Sequence, residues 1–175
     1  MNRVMIVDDE PGVLNSLKRA LRGESWVLMT YSDPEEALNV AAKEVISLVI
    51  SDYRMPQMDG VTFLKEFKAI QPESFRMVLS GQADMAAVLS AINEAEIYRF
   101  VTKPWNNDDL KISIDTALKH RDILMENQRL ADLVRKQQIQ LDYQKTELDR
   151  LETECPGITQ VNWDSDGCII LNDKD

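Results

Sequence analysis

Five short apolar, β-branched runs, separated by stretches with helical spacing, constrain this chain more than any other feature. The runs are Val4-Met5-Ile6-Val7, Trp26-Val27-Leu28-Met29-Thr30, Ile46-Ser47-Leu48-Val49-Ile50, Arg76-Met77-Val78-Leu79 and Tyr98-Arg99-Phe100-Val101. Between them, Val13, Leu14, Leu17 and Leu21 recur at steps of three and four. So do Ala37, Val40 and Ala41, then Val61, Leu64 and Phe67, then Val88, Ala91 and Ile92. Strands that alternate with helices form a parallel sheet covered on both faces. Val4 to Val7 and Ile46 to Ile50 are apolar without alternation, as central strands are. Punctuation agrees. Asp33-Pro34-Glu35-Glu36 supplies a cap, a Pro at the first helical position and acids in the first turn. Gln71-Pro72 ends the third helix, Asp84 caps the fourth, and Asn107-Asp108-Asp109 opens the fifth.

The fifth helical pattern continues far past the size of a compact domain. From Asp108 to about Glu152 there is neither Pro nor Gly. With His120, Asn127, Val134, Leu141 and Leu148 at heptad position a, position d holds Ile123, Leu130, Gln137, Gln144 and Leu151. Six of these ten are apolar, and Asn127 suits a register-setting a position. A helix this polar is marginal alone, so the pattern predicts a parallel coiled-coil dimer. The alternatives are a solvated helix or one packed on another partner. Cys155-Pro156-Gly157 stops the helix. Beyond it, Ile158 to Val161 and Cys168 to Leu171 read as two short strands around Asp164-Ser165-Asp166-Gly167. That string reads as a hairpin turn rather than a calcium loop, because the remaining ligand positions do not follow. A lone hairpin is unstable, so it either packs on a neighbour or begins a further domain.

Charge and cysteine usage narrow the function. Lys plus Arg total 20 against 30 Asp plus Glu, a net charge of −10. That argues against a general electrostatic grip on nucleic acid or anionic lipid. No apolar stretch approaches the roughly 20 residues of a membrane span. Met1 to Val7 lacks the features of a signal peptide, so the expected compartment is the cytoplasm. Cys155 and Cys168 read as free thiols and are too few for a structural zinc site.

In an open parallel sheet, chemistry gathers at the C-terminal ends of the strands. The first run is followed by Asp8, Asp9 and Glu10, the third by Asp52, the fourth by Ser80-Gly81 and the fifth by Lys103-Pro104. Three carboxylates in one crevice repel each other and call for a cation. All-oxygen ligation with few ligands favours Mg²⁺. A divalent ion beside an ammonium suits a phosphoryl group, with Ser80 as a hydrogen-bond donor. The site has no Cys, and His120 lies beyond it. The nucleophile is therefore a carboxylate, with Asp52 the best placed. Taken singly, each of these residues is an ordinary cap, turn or loop residue. Their joint order carries the reading.

From Asn2 to about Lys119 the sequence resembles the receiver domain of two-component response regulators. Ile6-Val7-Asp8-Asp9-Glu10 resembles the acidic pocket. Ile50-Ser51-Asp52-Tyr53-Arg54-Met55-Pro56, followed by Met58-Asp59-Gly60, resembles the phosphoacceptor loop. The resemblance implies a flavodoxin-like α/β fold, a doubly wound five-stranded parallel sheet of order 2-1-3-4-5. It implies that Asp8 and Asp9 hold Mg²⁺ together with Asp52 and the backbone carbonyl of Arg54. Asp52 is then the phosphoacceptor from a histidine kinase or phosphotransfer protein. Ser80 is the switch hydroxyl, Phe100 the switch aromatic and Lys103 the conserved-type lysine, with a cis peptide before Pro104. Gly60 suits the turn into the third helix. Arg54 and Gln82 occupy positions that tune phosphoryl lifetime. Phe100 replaces the Tyr variant of the switch aromatic, and Trp105 is bulky for its position. The segment Tyr98 to Trp105 is similar to receivers whose outputs handle cyclic dinucleotides.

The reading divides the chain into a receiver at 1–119, a long helix or coiled-coil linker at 120–153, and a hairpin or the start of an output domain at 154–175. The expected function is a phosphorylation switch. Modification of Asp52 re-aims the surface of the fourth helix, fifth strand and fifth helix, with no enzymatic activity beyond self-phosphorylation and autodephosphorylation. Homodimerisation through the C-terminal helix is expected, and direct contact with nucleic acid or membrane is not. Two rivals stand beside it: a coiled-coil adaptor whose receiver only binds proteins, and a fragment of a regulator whose output is a cyclic-dinucleotide enzyme. A phosphatase of the haloacid-dehalogenase type needs a second Asp two residues after the first, and the adjacent Asp8 and Asp9 do not meet that spacing.

Overall fold

Side chains on successive strand residues point to opposite faces of a sheet, and in this protein both faces are packed. The computed structural model describes residues 1–81 and 95–156. Its strands are β1 (Arg3–Val7), β2 (Val27–Tyr31), β3 (Leu48–Asp52), β4 (Phe75–Gly81) and β5 (Arg99–Lys103). They pair in parallel in the order β2-β1-β3-β4-β5. Met5 and Val7 of β1, Val49 of β3 and Val78 of β4 face one core. Ala37 and Ala41 of α2 (Pro34–Ala41) and Phe63, Leu64 and Phe67 of α3 (Gly60–Ile70) fill it. The intervening residues Val4, Ile6, Leu48, Ile50, Met77 and Leu79 face the other core. There they meet Leu14 and Leu17 of α1 (Pro11–Ala20) and Leu110, Ile114, Ala117 and Leu118 of the C-terminal helix (Asn107–Glu154). Each fully buried Leu, Ile or Phe contributes roughly 1.5–3 kcal/mol relative to exposure. This is the doubly wound flavodoxin-like arrangement.

The punctuation acts as local chemistry dictates. Asp33 accepts the Glu35 N–H at 2.9 Å, and Pro34 occupies the first turn of α2. Gln71 ends α3. Its side chain then ties neighbouring loops, accepting from the Ile46 N–H at 2.8 Å and donating to the Ala41 and Glu44 carbonyls. Ile46 is therefore buried but precedes β3, which begins at Leu48. The C-terminal helix opens at Asn107, as the Asn107-Asp108-Asp109 string suggests, and Asn106 caps it. Asn106 Oδ1 accepts the Asp108 N–H at 2.8 Å and the Asp109 N–H at 3.3 Å.

The chain divides into two units, Met1–Met125 and a second beginning at Glu126. Within the first, the helix docks through its apolar face and through polar ties. Trp26 Nε1 donates to Asp115 at 3.1 Å, and Lys111 pairs with Glu24 at 3.1 Å. Within the second, the heptad residues Val134, Leu141 and Leu148 are exposed. The helix by itself does not establish the coiled-coil pairing that its heptads suggest. No helix among the described residues is long and apolar enough to cross a membrane. Gln82, the predicted fourth helix with Asp84, and the hairpin with Cys168 lie outside the described residues.

Candidate functional site

Parallel pairing aligns the C-terminal ends of the strands, and the register states how. Val7 of β1 pairs with Ser51 of β3, Asp52 with Leu79 of β4, and Gly81 with Lys103 of β5. Asp8 and Asp52, one step past the Val7–Ser51 pairing, therefore meet at the edge where β5 ends in Lys103. One carboxylate oxygen from each of Asp8, Asp9 and Asp52 lies within 4.8 Å of the other two. Asp8 is fully buried, Asp52 nearly so, and Asp9 half-buried. The Lys103 ammonium stands between two of them, 3.0 Å from Asp8 Oδ2 and 2.7 Å from Asp52 Oδ1. Asp8 Oδ1 accepts the Glu10 N–H at 2.9 Å.

The electrostatics follow from this crowding. Burial pushes the Asp8 carboxyl above the ordinary carboxylate range, and the Glu10 N–H and Lys103 offset only part of that push. Burial works against the charged form of Lys103, but hydrogen bonds from its ammonium to Asp52 and Asp8 outweigh it and hold its pKa above the usual lysine value. Three carboxylates facing one ammonium leave surplus negative charge lined with oxygen ligands. That donor set fits a small divalent cation such as Mg²⁺.

The other predicted site residues fall around this centre. Ser80 is buried at the end of β4, one residue past the partner of Asp52, and its hydroxyl donates to the Gly81 carbonyl at 3.1 Å. Arg54 lies two residues beyond Asp52 and is exposed. Phe100 pairs with Val78 and packs, partly buried, against the core on the α2 and α3 side. The Lys103–Pro104 peptide is cis.

The backbone beside Asp52 is set by Gly60, which the sequence reading placed at the turn into the third helix, and by Asp59, which it left in the loop. Gly60 opens α3 so close to β3 that a Cβ there would lie 2.9 Å from the Asp52 carbonyl carbon and nearer still to its oxygen. Its N–H donates to the Tyr53 carbonyl at 2.9 Å. Asp59 caps the same helix, accepting the Val61 and Thr62 N–H groups at 3.0 Å each. An Asp just before a helical apolar pattern was the available signal for the Asp59 cap.

The sequence matches the response regulator receiver domain over residues 4–115. It is 35% identical over 127 residues to the hydrogenase transcriptional regulatory protein HoxA of Cupriavidus necator, covering 73% of this chain and 26% of that protein. The chain thus spans about a quarter of the length of that curated relative. Among solved structures, it is similar to a chain described as an adenylate cyclase from Rhodopirellula baltica. That match has 31% identity and a TM-score of 0.71, and covers 75% of this chain and 98% of that one. It is also similar to the signal receiver domain of an HD domain-containing protein from Pseudomonas fluorescens Pf-5. Here identity is 34% and the TM-score 0.66, with 69% and 97% covered.

Proposed function

The chain belongs to the response regulator receiver domain family, and on that premise we propose that Asp52 accepts a phosphoryl group from a histidine kinase or phosphotransfer protein. The observation that carries this reading is the Lys103 ammonium shared between Asp52 and Asp8 inside the acidic cluster. An Asp52 oxygen attacks the phosphorus of a phosphohistidine in line. The O–P bond forms, the P–N bond breaks, and the imidazole leaves with the bonding electron pair. Lys103, already placed at Asp52, balances charge gathering on the phosphoryl oxygens. The Ser80 hydroxyl exchanges its Gly81 acceptor for a phosphoryl oxygen. Asp8, Asp9, Asp52 and the Arg54 carbonyl would hold Mg²⁺, whose chemistry when bound is to neutralise and orient those same oxygens.

The consequence is a two-state switch. Inward movement of Ser80 frees space for Phe100 and re-aims the surface around β5 and the C-terminal helix. In this reading, 1–119 is the phosphorylated module, 120–153 a linker that pairs with a second copy, and 154–175 leads toward an output. Chemistry is confined to gain and loss of the chain's own phosphoryl group. The acidic balance supports a cytoplasmic protein that contacts proteins rather than nucleic acid or membrane. For the output, similarity to a chain from an adenylate cyclase supports a cyclic-nucleotide enzyme, while the similarity to HoxA supports control of transcription.

The test is intact mass after incubation with Mg²⁺ and acetyl phosphate. Wild type is expected to gain one phosphoryl mass and Asp52→Ala none. Failure of wild type to gain it with any phosphodonor overturns the proposal and favours the adaptor reading.

A further inference from the structure

We propose that Ser51 is a positioning residue for the phosphoacceptor: its hydroxyl holds the Asp52 carbonyl and so fixes the peptide plane that links the Asp52 carboxylate to the Arg54 carbonyl. This rests on the receiver reading above and adds a residue to its machinery. Ser51 breaks the apolar run of β3 just before Asp52. It is fully buried and stands two residues after Val49, so it faces the same core. Its partners on the neighbouring strands are Val7 and Val78, both of that core. A hydroxyl in such a place costs free energy unless it is hydrogen-bonded, and an alanine would fit the space without that cost. The hydroxyl donates to the Asp52 carbonyl at 2.9 Å.

That bond completes a clamp. The Asp52 carbonyl and the Tyr53 N–H belong to one rigid peptide plane. The Tyr53 N–H donates to the Leu79 carbonyl of β4 at 2.9 Å. The plane is therefore held at both polar ends, by β4 at one and by Ser51 at the other. The carbonyl of the next plane, that of Tyr53, accepts the Gly60 N–H at 2.9 Å. Gly60 also encloses the Ser51–Asp52 bond. A Cβ at Gly60 would lie 3.0 Å from Ser51 Oγ and 2.9 Å from the Asp52 carbonyl carbon. The start of α3 thus presses on this bond and leaves no room for a side chain of its own.

Aim at the site depends on this plane. It joins the Cα of Asp52 to the Cα of Tyr53, one residue short of Arg54. A tilt moves the Asp52 carboxylate and the Arg54 carbonyl relative to each other. It also moves the carboxylate relative to Lys103, which stands 2.7 Å from Asp52 Oδ1. In-line attack tolerates little misplacement of the attacking oxygen. A buried hydrogen bond behind a ligating group is the usual means of holding such a group in place.

The test compares wild type, Ser51→Ala and Ser74→Ala in the full chain. Ser74 is the control. Its hydroxyl is also buried and donates to a backbone carbonyl, that of Ile46, but it precedes β4 at the other end of the sheet. Mg²⁺ binding is read by titration calorimetry with no phosphodonor present. Phosphoryl gain is read by intact mass at saturating Mg²⁺ with acetyl phosphate. Ser51→Ala is expected to weaken Mg²⁺ binding and to slow phosphoryl gain, each about tenfold. Ser74→Ala is expected to lower the urea midpoint and leave both at the wild-type value. Circular dichroism checks the fold. Should Ser51→Ala fail that check, Ser51→Cys keeps the side chain's shape, replaces a strong donor by a weak one and carries the same expectation. Loss of the fold in both overturns the proposal, because the bond would then serve folding rather than aim. Wild-type Mg²⁺ affinity or rate in a folded Ser51 variant overturns it, as does an equal loss in Ser74→Ala. Wild type that binds no Mg²⁺ overturns it too. Wild type that binds Mg²⁺ but gains no phosphoryl group from any donor sinks the receiver reading alone, and the calorimetric comparison still decides for or against Ser51.

Discussion

At Asp59 one exposed carboxylate serves three donors: the Val61 and Thr62 N–H groups at 3.0 Å and the Thr62 hydroxyl at 2.7 Å. Partial burial works against its charged form. The hydrogen bonds from Thr62 and Val61 outweigh that and hold the carboxyl below its ordinary 3.8. A carboxyl depressed by folding contributes stability that is present above its unfolded pKa and is lost as pH falls through the folded value. Asp59→Ala is therefore expected to cost about 1 kcal/mol at neutral pH. Urea denaturation of both proteins should show that difference shrinking once the pH drops below 3.8. A gap that stays constant into acid would mean the carboxylate is not the cap. The pocket acids were legible in the sequence because each directly follows an apolar run, and the sheet topology then forces them together. The close approach of Gly60 to Asp52 was not legible, since it depends on how steeply α3 leaves the loop.

β4 shows what periodicity misses at the scale of an element. Its run opens with Arg76, which a sequence reading takes as the polar edge of an apolar strand, yet the residue is only 4% exposed. The guanidinium donates to the Ala95, Ser74 and Pro72 carbonyls at 2.8, 2.6 and 3.2 Å and pairs with Glu96 at 3.3 Å. Lys68 of α3 reaches the same Glu96 at 2.6 Å. Burial lowers the Arg76 pKa, with Glu96 pulling the other way. One side chain therefore ties the start of β4 to the chain that enters β5. No local pattern reveals it, because its partners lie up to 20 residues away. Replacing a whole buried ion pair by apolar groups is often neutral. Here the partners are mainly carbonyls that would remain buried and unpaired, so loss dominates. Arg76→Met is expected to destabilise by about 2 kcal/mol or more, read as a lower urea midpoint with an unchanged slope. A midpoint within error of wild type would show that water or the loop satisfies those carbonyls. The start of the C-terminal helix at Asn107 was legible from Asn107-Asp108-Asp109, whereas its cap was not singled out: Asn106, just before that string, accepts two N–H groups through its short side chain.

For the whole molecule, alternation of five runs with helical spacing was enough to specify a parallel sheet with two covered faces, since few other arrangements bury both sets of side chains. The order β2-β1-β3-β4-β5 came from the family resemblance and agrees with the pairing of β1 between β2 and β3. That topology places every carboxylate of the acidic cluster, and Lys103, at one edge, while the C-terminal helix packs against the opposite face from α2 and α3. The central claim is that this edge exists to hold a phosphoryl group on Asp52. It is tested most directly by locating that group. After phosphorylation with acetyl phosphate and Mg²⁺, borohydride reduces an acyl phosphate to the alcohol, and peptide mapping reads which residue was converted. The account predicts a homoserine at position 52 and unmodified aspartates at positions 8 and 9. Conversion at another carboxylate, or none in a chain that has gained phosphoryl mass, would contradict it.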